Sequence, residues 1–230
     1  MKYIFSKTII IGLGGSIMYP LEIDIDFLKM FRKCILRNIL NGHKFIIVAG
    51  GGKIARKYQE ATQKICKVNN EDKDWLGIHA TRLNAHLLRT IFKEKADPVV
   101  IDEHNKIKKL NYSITIASGW RPGSSTDYIA AQLAVDFKIN EYIISGKPSY
   151  VYDKDFVKYL DAKPYFELNW LDYSKLIPKK WIPGFHSPVD PVATNLSLKN
   201  NLTAIVVNGG DLKNFNNLIN VKEFKGTIIS

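Results

Sequence analysis

Cysteine is scarce in this chain, no apolar run approaches the length of a bilayer, and no Pro/Ser-rich or low-complexity stretch divides it. Each absence removes a class of function. Two cysteines in 230 residues neither build a disulfide scaffold nor form a cysteine-rich metal site. Cys34 and Cys66 both fall in helical patterns at apolar spacing, which predicts buried thiols. The eighteen or so consecutive apolar residues of a membrane span are missing. The opening Met1-Lys2-Tyr3-Ile4-Phe5-Ser6-Lys7 has neither the apolar region nor the cleavage site of a secretory leader. No membrane partner and a cytoplasmic location are therefore expected. With no linker and no internal repeat, residues 1–230 are expected to form a single domain. Acidic residues are few against 33 Lys and Arg, leaving a net charge of +11. These cations are mostly lysines scattered through helices and loops without interleaved aromatics, so no nucleic-acid partner is expected. A basic surface of this kind favours acidic small molecules.

Two glycine clusters dominate what is present. Thr8-Ile9-Ile10-Ile11-Gly12-Leu13-Gly14-Gly15-Ser16 and Phe45-Ile46-Ile47-Val48-Ala49-Gly50-Gly51-Gly52-Lys53 each run from an apolar segment into a helical pattern. A strand ending in glycines and turning into a helix brings backbone N–H groups and the positive helix end close to an anion. Either turn alone is equally well read as a tight turn without a ligand. A third segment, Ala117-Ser118-Gly119-Trp120-Arg121-Pro122-Gly123-Ser124-Ser125-Thr126-Asp127, repeats the arrangement after the β-branched run from Tyr112 to Ile116. Three such turns point to phosphorylated ligands side by side.

Strand patterns fall at 8–13, 44–49, 98–101, 112–117, 141–145, 203–208 and 226–229, and helical ones at 26–41, 54–68, 72–95, 125–137, 189–199 and 212–220. Their alternation predicts an α/β fold with a largely parallel sheet and helices on both faces. Such sheets bind ligands beyond the carboxyl ends of their strands, where all three glycine turns lie. From Lys147 to Gly184 the rhythm breaks, with Pro148, Pro164, Pro178 and Pro183 among several tyrosines. That stretch is read as irregular structure or a hairpin over a site.

In order and spacing, Gly14-Gly15-Ser16, Gly50-Gly51-Gly52-Lys53-Ile54-Ala55-Arg56, Leu76-Gly77-Ile78-His79-Ala80-Thr81-Arg82-Leu83-Asn84-Ala85, Pro122-Gly123-Ser124-Ser125-Thr126-Asp127, Val151-Tyr152-Asp153-Lys154-Asp155 and Ser187-Pro188-Val189-Asp190-Pro191 resemble the amino acid kinase superfamily. Within it they look most like the archaeal-type uridylate kinases, over essentially the whole chain. The resemblance implies a three-layer α/β/α sandwich, transfer of the γ-phosphoryl group of ATP to UMP with Mg2+, and a hexamer built as a trimer of dimers.

The same resemblance assigns residues. Gly14, Gly15 and Ser16 would hold the ATP phosphates. Gly51 and Gly52 would lie between donor and acceptor, with Lys53 and Arg56 offsetting charge on the group in transit, as phosphoryl transfer requires. Either cation is otherwise a solvated helix residue. Asp74 would accept hydrogen bonds from the UMP ribose, or is a helix N-terminal carboxylate. Backbone groups of Gly119, Trp120, Arg121, Pro122, Gly123, Ser124, Ser125 and Thr126 would cup uracil and the UMP phosphate. Asp127 is compatible with both a first-turn helix acid and a site role. Asp190 would orient a lysine or a metal-bound water, or caps a helix ahead of Pro191. Tyr152 and Asp155 would pack against the adenosine. No residue is assigned as a direct metal ligand, and His186 receives no role.

Some positions depart from the pattern. Gly12 stands where the bacterial branch has a lysine. Gly146-Lys147-Pro148-Ser149-Tyr150 replaces Thr-Asn-Val-Asp-Gly, Phe156 replaces a proline, and Trp120-Arg121 replaces smaller residues. Two other readings therefore stand beside a UMP kinase. One is a different small-molecule kinase of the superfamily, acting on isopentenyl phosphate or fosfomycin. The other is a non-enzymatic relative, a nucleotide-binding regulator or a molybdate-storage-like assembly.

Overall fold

The apolar runs that end in glycine are strands covered on both faces, as the centre of a parallel sheet demands. A computed structural model describes residues 3–180 and 187–230. In chain order the elements are β1 (Thr8–Leu13), α1 (Gly15–Met18), α2 (Ile25–Leu40), β2 (Lys44–Ala49), α3 (Gly52–Ile65), α4 (Asn70–Ile91), β3 (Ile114–Ala117), α5 (Thr126–Asp136), β4 (Glu141–Gly146), β5 (Val151–Tyr152), β6 (Pro164–Tyr165), β7 (Glu167–Leu168), α6 (Trp170–Lys175), α7 (Pro191–Lys199), β8 (Thr203–Asn208), α8 (Leu212–Ile219) and β9 (Thr227–Ile229). Seven strands form one sheet in the order β3-β2-β1-β4-β8-β9-β7. The first five run parallel, and β9 returns antiparallel to β8.

Alternate side chains of the central strands enter two apolar layers. Ile9, Ile11, Phe45, Ile47 and Ile143 meet Phe31 and Ile35 of α2, Leu88 of α4 and Phe215 of α8. Ile10, Ile46, Tyr142 and Val206 meet Ile129 and Leu133 of α5, Trp170 of α6 and Ala193 of α7. The result is the three-layer α/β/α arrangement expected. Among the described residues no helix is long and apolar enough to cross a membrane.

The differences from the sequence reading have physical causes. Residues 98–101 are not a strand: only Ala96 and Ile101 make single bridges, to Ile114 and Ala117, and Pro98 lacks the N–H a ladder needs. Cys66 is exposed at the end of α3, and Cys34 is only partly covered. The stretch after Lys147 holds the antiparallel β5-β6 hairpin, then β7, which joins the main sheet beside β9. Trp181 to Gly184, and His186, lie outside the described residues.

Candidate active site

Because the sheet order contains β3-β2-β1-β4, the loops leaving the carboxyl ends of these strands stand in one row. The third glycine turn comes first, then the second, then the first, then the segment after Gly146. The second turn thus lies between the other two, and hydrogen bonds stitch it to the first. Gly50 N–H donates to Leu13 O at 2.9 Å and Lys53 N–H to Tyr19 O at 3.2 Å, while Gly14 N–H ties the first turn to β4 through Ser145 O at 2.8 Å. Gly15 presses against this turn so closely that a Cβ there would lie 2.6 Å from the carbonyl carbon and oxygen of Gly50, and nearer still to Gly52 N. Gly52 itself has φ +68°, which favours glycine.

The start of α3 is unlike that of every other helix of eight or more residues among those described. Asp24, Asn69, Ser125, Asp190 and Asp211 cap α2, α4, α5, α7 and α8 through their side chains. α3 has Gly51 at its N-cap, with no side-chain cap and no acid in its first turn, and it carries Lys53 and Arg56, both partly exposed. Cations at a helix N-terminus oppose the helix dipole. An uncapped N-terminus flanked by cations is unfavourable for the helix alone and suited to an anion.

The third turn is held from α4 and α7. Gly119 N–H donates to Thr81 Oγ1 at 2.8 Å, and Gly123 N–H to Asp74 Oδ2 at 2.8 Å. Asn84 Nδ2 reaches the second turn, donating to Gly50 O at 2.8 Å and Gly51 O at 3.2 Å. At the far end, Ser125 Oγ accepts from Asp127 N–H and donates to Asp190 Oδ2 in a short hydrogen bond. Asp190 Oδ1 meanwhile caps α7, accepting from the N–H groups of Val192 and Ala193.

Two carboxylates thus stand close together around Ser125. Burial, and secondarily the Asp190 charge, push the Asp127 carboxyl well above the usual carboxylate range. Burial and the same two carboxylates also raise the phenols of Tyr142 and Tyr173. These phenols act as neutral struts. Tyr173 Oη donates to Val189 O at 2.8 Å and accepts from its N–H at 2.7 Å, fixing the residue before Asp190.

The remaining site candidates divide. Gly14, Gly15, Ser16, Gly51, Gly52, Lys53 and Arg56 gather at the interlocked first and second turns. Asp74, the turn from Gly119 to Thr126, and Asp190 form a second bonded group. Trp120 is buried, its Nε1 donating to Ile101 O at 3.3 Å and its ring tilted against His104. Its side chain is a core element, and only its backbone faces the turn. Arg121 is exposed, and Pro122 and Ser124 are partly covered. Tyr152 and Asp155 belong to the hairpin region beyond β4. Tyr152 stacks on Phe156 with ring centroids 4.8 Å apart, and Asp155 accepts from Val157 N–H and pairs with Lys158 at 3.6 Å. Sequence reasoning gave Thr81 and Asn84 no role, although two polar residues on the buried face of α4 are a readable signal.

Comparisons with known proteins bear on the family and the fold. Residues 7–208 match the model of the amino acid kinase family. The uridylate kinase of Thermococcus sibiricus is 30% identical over 227 residues, covering 96% of this chain and 98% of that protein. That of Thermococcus kodakarensis is 37% identical over 157 residues, 67% of this chain and 69% of that protein. The crystal structure of uridylate kinase from Archaeoglobus fulgidus superposes with a TM-score of 0.82 at 24% identity, covering 96% of this chain and 99% of that one.

Proposed function

The chain belongs to the amino acid kinase family, and on that premise we propose that it is a UMP kinase, moving the γ-phosphoryl group of ATP to UMP to give UDP and ADP in pyrimidine nucleotide synthesis. The observation that carries this reading is the uncapped, cationic start of α3 lying between two other glycine turns. Transfer between two anions depends on positioning and charge neutralisation, and a cationic centre with an anion site on each side supplies both.

In this mechanism Gly15 and Ser16 hold the ATP phosphates, Gly14 shapes their turn by spending its N–H on Ser145 O, and Tyr152 and Asp155 border the adenosine. The turn from Gly119 to Thr126 receives UMP, with Asp74 ordering that turn beside the ribose. Gly119 and Gly123 spend their N–H groups on Thr81 and Asp74, so they shape the turn rather than donate to UMP. The N–H groups of Gly51 and Gly52, with Lys53 and Arg56, receive the charge that develops on the group in transit. Mg2+ needs only one or two carboxylates beside phosphate oxygens. Asp127 and Asp190, which stand together around Ser125, would hold it there. When bound with the nucleotide, Mg2+ supplies further neutralisation of phosphate charge.

Residues 1–230 act as one domain in a cytoplasmic hexamer, a trimer of dimers. Sedimentation and a single cooperative melting transition would support that assembly. The reading itself is tested by ADP release across UMP, CMP, dUMP and isopentenyl phosphate. UMP should give the highest kcat/KM. Preference for isopentenyl phosphate would make the chain a different small-molecule kinase, and nucleotide binding without turnover would make it a silent relative.

A further inference from the structure

The segment Leu76–Ala85 is prominent in the sequence, yet the mechanism above uses it only where Thr81 takes up the Gly119 N–H. Thr81 and Asn84 lie nearly one turn apart on α4, 7% and 4% exposed, among the buried Ile78, Ala85 and Leu88. A buried polar side chain costs stability unless its bonds are met. Both meet theirs on the glycine turns.

Asn84 directs its amide at two successive carbonyls, those of Gly50 and Gly51. A trans peptide unit is planar, so its N–H points opposite to its C=O. Holding these two carbonyls toward α4 therefore turns the N–H groups of Gly51 and Gly52 away from α4. Three consecutive glycines have no side chains to fix that orientation themselves. Thr81 Oγ1 donates to Ile78 O at 2.6 Å within the helix and accepts from Gly119 N–H at 2.8 Å. Its proton is committed to the helix, and its lone pair therefore sets where the third turn begins.

We propose that Thr81 and Asn84 are positioning residues for phosphoryl transfer. Asn84 aims the Gly51 and Gly52 N–H groups at the phosphoryl group in transit, and Thr81 places the acceptor turn. One helix thereby holds the transfer centre and the acceptor site in fixed relation. The proposal rests on the UMP kinase reading.

The test is steady-state kinetics at varied UMP and saturating ATP and Mg2+ for wild type, Asn84→Ala, Asn84→Ser, Thr81→Val and Thr81→Ser. It is joined by residual dipolar couplings of glycine N–H vectors in the nucleotide-free protein. Misplacing the transfer centre by about 1 Å costs about a hundredfold, so Asn84→Ala should lose roughly that in kcat and keep the KM for UMP within about twofold. Asn84→Ser, retaining one donor, should fall between, and it carries the test if Asn84→Ala does not fold. Thr81→Val should raise the KM for UMP about fivefold, as one lost hydrogen bond implies, with kcat little changed and recovery in Thr81→Ser. Opposite signatures from residues on one buried helix face do not arise from a shared loss of fold. Equal losses in kcat and KM for both positions, or unchanged Gly51 and Gly52 couplings in both Asn84 variants, would overturn the proposal. If wild type fails to phosphorylate UMP, the functional reading falls, and the couplings still decide whether Asn84 orients the turn.

Discussion

Replacing Gly15 by alanine tests the interlocked turns directly. The added methyl would lie 2.6 Å from the backbone of Gly50, whereas ordinary contact begins near 3.4 Å. The obstacles are peptide atoms, so no side chain can swing aside, and the second turn must retreat by about 1 Å, which is overpacking. Retreat strains the bond from Gly50 N–H to Leu13 O and the pair from Asn84. Overpacking costs about 1–3 kcal/mol and a lost hydrogen bond about 1 kcal/mol. For a protein of this size the melting temperature should then fall by roughly 5–15 °C. A displaced transfer centre should also cost about a hundredfold in kcat. Calorimetry and ADP release measure both. Gly77→Ala is the control. Its methyl would meet only the end of the Gln59 side chain, at 3.3 Å, and alanine gains up to about 1 kcal/mol over glycine inside a helix. Wild-type melting and turnover in Gly15→Ala would refute the contact between the two turns.

Lys53→Ala should lose about a hundred- to a thousandfold in kcat while the KM for UMP changes far less; near-normal turnover would remove Lys53 from the transfer centre. Asp127 has its carboxyl pushed above the usual value of 3.8, so folding favours its protonated form. The associated stability is full below that usual value and is lost as pH rises through the raised one. Asp127→Asn should therefore raise the melting temperature at about pH 8 and leave it near wild type at about pH 4; equal shifts at both would contradict the carboxylate pairing. Pro148 offers no N–H, and Tyr150 packs edge-on against Tyr152 and Phe166, so aromatic rings dominate the donor segment. ATP should exceed GTP in kcat/KM by only about fivefold less than a fully hydrogen-bonded adenine site would allow. Strong ATP selectivity would show that the segment still reads adenine.

The main strands and helices were legible because β-branched runs and capped amphipathic segments each satisfy local and global demands together. Two-residue strands such as β5 and β6, and the single turn α1, carry no periodicity to read. Cys66 shows a different limit. Helical spacing placed it on an apolar face, yet Cys66 is the C-cap of α3 with extended backbone, so the chain leaves the helix before that spacing can direct its side chain. In the site, the glycines were readable because close backbone approach leaves no alternative to them. The side chain of Trp120 was not legible. Only its backbone was assigned to the turn, and its ring turns inward, where Ile101 O satisfies its N–H.

Asp190 shows why structural and functional readings of one residue need not compete. From sequence it is either a helix cap before proline or a site acid. The structure gives each carboxylate oxygen a different task. Oδ1 caps α7, and Oδ2 accepts the hydroxyl proton of Ser125, which itself caps α5 beside Asp127. Two helix starts are thus joined through one carboxylate, held from behind by Tyr173 at Val189. Two backbone N–H donors and the Ser125 hydroxyl hold the Asp190 side chain in place, whereas burial and the neighbouring charge work against ionisation of Asp127. Capping therefore separates the two acids: the oxygens of Asp190 are engaged by the starts of two helices, whereas Asp127 carries the cost of its burial beside that neighbour.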